Sequence, residues 1–220
     1  MCRYAGTRAG ARFRGNIFFR TCIKTFAVAR DEAFCFYYPE NLQYLEHLGA
    51  KIVYFSPIHD KKLPDGTDAI LLGGGYPELY LEQLARNGSM LDSVRDAIGG
   101  GTPSIAECGG FMYLHRMVED AKGKQYELAG LIDGECRYTG HLVNFGYTQI
   151  KALKEDVAGD FREALTGMRG HEFHYYDSTA NGSDAILCKP STGRTYEGMH
   201  IGADHIWGWP HLYYLSNTVE

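Results

Sequence analysis

The sequence predicts an α/β fold with a mostly parallel central sheet and helices on both faces. Three observations carry that expectation. Strand-like and helix-like stretches alternate through the first half of the chain, and such alternation builds units whose crossover helices cover a parallel sheet. The strand-like runs are short and almost wholly apolar, as strands buried on both faces are. Two of them run into glycines, at Gly73–Gly75 and at Gly109–Gly110, which lets the backbone turn sharply from strand to helix.

The elements follow in order. Ile23–Ala29 reads as a first strand. A helical pattern from Glu40 to Leu48 stops at Gly49, a residue suited to the turn past a helix end. Lys51–Phe55 is a second strand, and Asp68–Leu72 a third that ends in three glycines. Helical stretches follow at Pro77–Arg86, opened by a proline that fits a first turn, and at Ser89–Ile98. Pro103–Glu107 is another short buried strand, leading into Cys108-Gly109-Gly110 and a helical pattern over Phe111–Val118. After Asp120 the texture changes to Gly, Tyr, Thr and His. Gly146–Ala152, Gly170–Asp177, Thr195–Ile201 and His211–Ser216 read as antiparallel or mixed strands, with one short helix at Asp160–Leu165. This second half is expected to extend the same sheet.

A chain of 220 residues suffices for one large α/β domain and is short for two. Apolar residues at 45% and charged residues at 22% suit a soluble globular protein with a sizeable core. A formal charge of -5 argues against a non-specific nucleic-acid binder, which needs clustered cations. No apolar run has the length of a membrane span. The 6 cysteines are scattered without a C-x-x-C pair, so neither a zinc site nor a disulfide framework is signalled, and free thiols suit a reducing cytoplasm. Residues 1–22 carry several arginines and no acid, and read as a disordered leader or linker remnant before a domain spanning 23–220.

Cys108 sits where an apolar strand ends, directly before two glycines and a helix. A nucleophile needs such a turn to project its side chain, and a helix N-terminus lowers a thiol pKa and stabilises an oxyanion. The alternative is an inert buried cysteine. The loop Gly73-Gly74-Gly75-Tyr76-Pro77-Glu78 can present backbone N–H groups to developing negative charge, or is only a turn. It lacks the Lys and Ser/Thr of a nucleotide-phosphate loop. A Cys nucleophile needs a base delivered by the fold, and His211, opening a late strand, is the candidate. On a strand, His171 and Phe173 share one face while Glu172 and His174 share the other. A metal at His171 and His174 has no evident third ligand, so none is expected.

Taken together, these strings resemble the glutaminase domain of cobyrinic acid a,c-diamide synthases. The matching blocks are Ala27–Leu42, Gly73–Glu78, Ala106–Leu114 (Ala-Glu-Cys-Gly-Gly-Phe-Met-Tyr-Leu), Gly170–Tyr175 (Gly-His-Glu-Phe-His-Tyr) and His211–Asn217. They stand in the family's order and cover about residues 25–217. The resemblance implies a flavodoxin-like class I glutamine amidotransferase fold acting on L-glutamine in the cytoplasm. It implies Cys108 as nucleophile, His211 as base, and N–H groups near Gly74, Gly75 and Gly109 as oxyanion donors. Glu78 and Glu172 would orient groups or bind substrate. It further implies an ATP-binding synthetase domain or subunit as partner, with ATP and Mg held there and no cofactor in this chain; a homodimer is allowed. The released ammonia would serve ATP-dependent amidation of corrin-precursor carboxylates in cobalamin biosynthesis, a ligase reaction. Nickel-sirohydrochlorin and cell-wall amidotransferases, or a non-catalytic module bound to an ATPase, are the alternatives.

Three departures qualify the resemblance. Triad amidotransferases place Glu two residues after the catalytic His, whereas Leu212-Tyr213 follow His211; Glu172 is then a candidate to orient the base. Tyr213 and Thr218 stand where the terminal block usually has His and Pro. No G-x-x-x-x-G-K-[ST] string occurs, so the chain alone is not expected to form the amide.

Overall fold

A computed structural model of the chain describes residues 25–157 and 159–217. The leader expected over 1–22 lies outside the described residues. In chain order the elements are β1 (Thr25–Ala29), α1 (Pro39–His47), β2 (Lys51–Phe55), β3 (Ala69–Leu72), α2 (Leu81–Arg86), α3 (Gly88–Gly99), β4 (Ser104–Glu107), α4 (Gly109–Leu114), β5 (His115–Glu119), β6 (Gln125–Glu127), β7 (Ile132–Leu153), α5 (Gly159–Leu165), β8 (Arg169–Ser178), β9 (Ala185–Cys188), β10 (Thr195–Gly198), β11 (His200–Ile201), β12 (His205–Gly208) and β13 (His211–Tyr213). Single 3-10 turns lie at Pro77–Leu79 and Tyr214–Asn217.

The first sheet runs β11-β12-β4-β3-β1-β2. Every pairing in it is parallel except that of β11 with β12. Its central strands β1, β3 and β4 are short and buried on both faces, and their alternate side chains feed two apolar clusters. Ala27, Ala29, Ile70, Leu72 and Ala106 face Leu84, Met90, Val94 and Phe111 from α2, α3 and α4. Phe26, Val28, Ala69, Leu71 and Ile105 face Leu45 of α1 and Leu165 of α5. Helices therefore cover both faces, as the apolar runs predict. Each fully buried Leu, Ile or Phe stabilises this packing by about 1.5–3 kcal/mol.

The second half departs from expectation. Rather than extending the first sheet, it builds a second one, β10-β9-β7-β5-β6, with β8 on β7 and β13 on β8. Only β5 and β7 pair in parallel there. Strands β11 and β12 alone return to the first sheet. The physical reason is the alternation of the later segments: β8 reads buried at Gly170, Glu172, His174 and Tyr176 and exposed at Phe173 and Tyr175. One face packs on the core and the other meets solvent, a pattern of antiparallel sheets.

Two helix boundaries also move. The helix expected over Phe111–Val118 ends at Leu114, because the buried His115 ring bonds the Phe111 carbonyl (2.8 Å) and Ser178 Oγ (2.6 Å), and the chain continues as β5. The stretch expected as one helix over Pro77–Arg86 breaks at Tyr80, whose φ of -126° and ψ of 17° separate the 3-10 turn from α2.

Candidate active site

The turn from β4 into α4 holds Cys108 at φ 48° and ψ -100°, left-handed backbone that a side-chain-bearing residue adopts only when its surroundings enforce it. Such a conformation costs about 1–3 kcal/mol. Two hydrogen bonds hold it: Cys108 N–H donates to the Gly208 carbonyl (2.9 Å) and Gly110 N–H to the Gly73 carbonyl (2.9 Å). Gly110 must be glycine, since a Cβ there would collide with the Leu72 carbonyl.

The glycine loop lies against both the cysteine turn and the imidazole. A Cβ on Gly109 would lie 3.3 Å from Gly75 N and 2.9 Å from Pro77 Cδ. A Cβ on Gly74 would collide with Cε1 of His211. The fold thus sets Gly74 against the His211 ring, and Gly75 against Gly109 next to Cys108. The late strand is tied to the turn directly: Glu107 Oε1 accepts from Leu212 N–H (3.3 Å) and from Tyr214 O–H (3.3 Å). Phe36 closes the other side, its ring edge-on to His211 at 4.6 Å between centroids.

Electrostatics at the site differ from expectation. The helix N-terminus was expected to lower the Cys108 pKa. Instead burial pushes the thiol well up, the Glu78, Glu172 and Glu107 charges push it further, and the Gly109 N–H opposes them incompletely. Cys108 is 5% exposed, and its Sγ lies 4.0 Å from the Phe173 carbonyl of β8. Burial, and then His171 and His174, pull His211 down to about 3. At rest the thiol is covered and the imidazole is neutral. A neutral ring is the form that accepts a proton. Its Nδ1 is buried and has no hydrogen-bond partner among the described residues.

Glu172 does not orient His211. Its carboxylate bonds Tyr196 O–H, Lys189 Nζ (3.3 Å) and His174 Nε2 (3.3 Å) inside the second sheet. It points away from the base because His171, its neighbour on the opposite face of β8, is the residue paired with His211 across β13. Glu78, on the 3-10 turn after the glycine loop, is close enough for its charge to act on the thiol, and burial raises its own pKa. Among the described residues no group of three or more His, Cys, Asp or Glu stands together as a metal site.

Sequence reasoning missed Glu107 and Lys189. Glu107 is 7% exposed, and burial pushes it up to about 8 against the pull of Leu212 N–H and Tyr214 O–H. Its signal was visible: a carboxylate closing the otherwise apolar run before Cys108. Lys189 gave no signal, because its partner lies seventeen residues away on another strand.

A cobyrinate a,c-diamide synthase of Caldanaerobacter subterraneus is 42% identical over 173 residues, which cover 78% of this chain and 38% of that protein. The synthase of that name from Salmonella typhimurium is 44% identical over 165 residues, 75% of this chain and 35% of that one. The matched region thus spans well under half the length of these relatives. In fold, the chain is similar to a glutamine amidotransferase from Thermotoga maritima, with a TM-score of 0.56 and 12% identity over 88% of this chain and 76% of that one. PurLQS from Thermotoga maritima gives a TM-score of 0.53 and 16% identity, covering 86% of each chain. The family model for the CobB/CobQ-like glutamine amidotransferase domain matches residues 25–217, which hold the cysteine turn, the glycine loop and the late histidine together, and the chain belongs to that family.

Proposed function

We propose that this chain is the glutaminase unit of a cobyrinate a,c-diamide synthase, releasing ammonia from L-glutamine for amidation of an acceptor carboxylate. The observation that carries it is the glycine loop, which meets the Cys108 turn through Gly73 and Gly75 and the His211 ring through Gly74. Cys108 Sγ attacks the side-chain amide carbon while His211 takes the thiol proton. The resulting oxyanion lies toward the N–H groups of Gly75 and Gly109, and each such donor is worth about 10²–10³ in rate. The carbon–nitrogen bond breaks, ammonia leaves with the proton from His211, and water cleaves the thioester to glutamate. Because the resting thiol is covered and protonated, attack and proton transfer occur together.

ATP and Mg belong, in this reading, to a synthetase domain or subunit, since the glycine loop here is packed against Ala33 and His211 and forms no phosphate cradle. A cytoplasmic setting fits the free thiols at Cys35 and Cys188, and among the described residues no helix is long and apolar enough to cross a membrane. The names of the relatives support the corrin acceptor. The test is glutamate release from glutamine by wild type and Cys108→Ala, alone and with a synthetase partner; equal rates reject the nucleophile. The 5% exposure of Cys108 favours a second reading, a binding module without turnover. Covalent capture of a glutamine-analogue electrophile at Cys108 rejects that one.

A further inference from the structure

Four polar side chains meet inside the second sheet, three of them buried and Tyr196 half-buried. The Glu172 side chain is 1% exposed, Lys189 5% and His174 3%. Glu172 Oε1 takes both Tyr196 O–H and Lys189 Nζ, and Oε2 faces His174 Nε2. Each member is held again from behind. Lys189 Nζ donates to the Gly146 carbonyl (3.2 Å), and Tyr196 O–H lies 3.0 Å from Thr148 Oγ1. His174 Nδ1 is 2.7 Å from the Tyr176 carbonyl, and the ring stacks on Trp209 at 4.0 Å between centroids. Burying an ammonium and a carboxylate costs several kcal/mol each, and an apolar pair of similar volume is often as stable or more so. Stability alone does not account for the cluster.

Its place does. Glu172 and His174 flank Phe173, whose carbonyl is the group lying on Cys108 Sγ. Pinning both neighbours pins that carbonyl. We propose that Glu172, clamped by Lys189, Tyr196 and His174, is a positioning residue for Cys108: it fixes the Phe173 carbonyl over the thiol and sets the negative field in which the thiol ionises. This assignment rests on Cys108 being the nucleophile. The charged and titratable groups facing that thiol are Glu78 from the 3-10 turn, Glu107 from β4, Cys136 from β7 and Glu172 from β8, with Glu172 among the charges that push it up. A buried carboxylate that opposes thiolate formation keeps the sulfur protonated until substrate and His211 act together.

The test is the rate of alkylation of Cys108 by iodoacetamide at fixed pH in the full chain, read by mass spectrometry of the Cys108 peptide. Glu172→Gln keeps the shape and removes the charge, so labelling is expected about threefold faster or more, the change given by half a pH unit in the thiol. Tyr196→Phe keeps the charge and withdraws a donor that disperses it, so labelling is expected slower. A purely structural cluster would lower the melting temperature in both and leave the direction of labelling the same. Equal rates across the three proteins, including no labelling in any, or changes of one sign, overturn the proposal. Should Glu172→Gln not fold, Tyr196→Phe decides alone: slower labelling upholds the assignment, and unchanged or faster labelling overturns it. Glutamine turnover that survives Cys108→Ala removes the nucleophile instead, whatever the labelling shows. Turnover lost in Cys108→Ala with labelling unmoved in the variants removes only the role of Glu172.

Discussion

The two sheets of this molecule do different work. The first is mostly parallel, apolar on both faces of its central strands, and delivers Cys108 and the glycine loop from the ends of adjacent strands, β4 and β3. The second is antiparallel, alternates buried with exposed residues, and lays the Phe173 carbonyl over that thiol. His211 arises at the seam: β12 belongs to the first sheet, and β13, three residues on, pairs with β8 of the second. The thiol is delivered by one sheet and covered by the other, and the imidazole stands where the two meet. The largest expected effect follows: Cys108→Ala lowers glutamine turnover by about 10³-fold or more, with little change in stability because strain at φ 48° persists in either residue. Turnover within tenfold of wild type would place the chemistry elsewhere.

Gly74→Ala breaks the seam without touching either reacting atom. The new Cβ would collide with Cε1 of His211, whose ring is enclosed and must shift bodily. A displacement near 1 Å in a catalytic group costs about 10²-fold. The expected result is a fall of that size in kcat with a modest change in melting temperature. Full kcat in a folded Gly74→Ala protein would mean that His211 is not the base.

The strands up to Cys108 were legible and the pairing of the later ones was not, for one physical reason. A short apolar run ending in glycine carries its fold and its chemistry in neighbouring residues, so Leu72 into Gly73 and Glu107 into Cys108 announce themselves. Across strands distant in sequence the partners are set by register, and neither Lys189 beside Glu172 in the second sheet nor Gly208 of β12 beside Cys108 in the first leaves a local mark. The face alternation of His171 and Glu172 was readable, yet which face met His211 depended on β13 pairing with β8. The pKa of Cys108 was misread for the same reason: the helix N-terminus is local and visible, whereas burial under β8 is neither.

Titration sharpens the contrast at the junction. Glu107 is pushed up to about 8 in the folded chain from a value near 4.5, so the fold favours its protonated form. That contribution is complete below about pH 4.5 and is lost as pH rises through 8. Glu107→Gln keeps the shape without the charge. Its stability relative to wild type should therefore rise between pH 5 and 8, by on the order of a few kcal/mol. His211 runs the other way. Pulled down to about 3, it favours its neutral form, contributes fully above about 6.5, and loses that contribution as pH falls through 3. Melting temperatures of wild type, Glu107→Gln and His211→Ala across this range separate the two. For the same reason kcat/KM should show no acidic limb near 6.5, and a limb there would mean that His211 is solvated in the working enzyme.

The smallest effect is expected at a second buried thiol. Cys136 on β7 is 0% exposed, belongs to the same apolar cluster as Cys108, and is likewise pushed up by burial. Its backbone differs: it sits within a long strand, with no left-handed turn and no glycine directly after it. A buried cysteine of that kind behaves as a small apolar side chain. Cys136→Ser should lower stability by about 1 kcal/mol and change glutamine turnover by less than about twofold. If turnover falls as far as in Cys108→Ala, then burial near β8, rather than the strand-to-helix turn, is what makes a thiol matter in this protein.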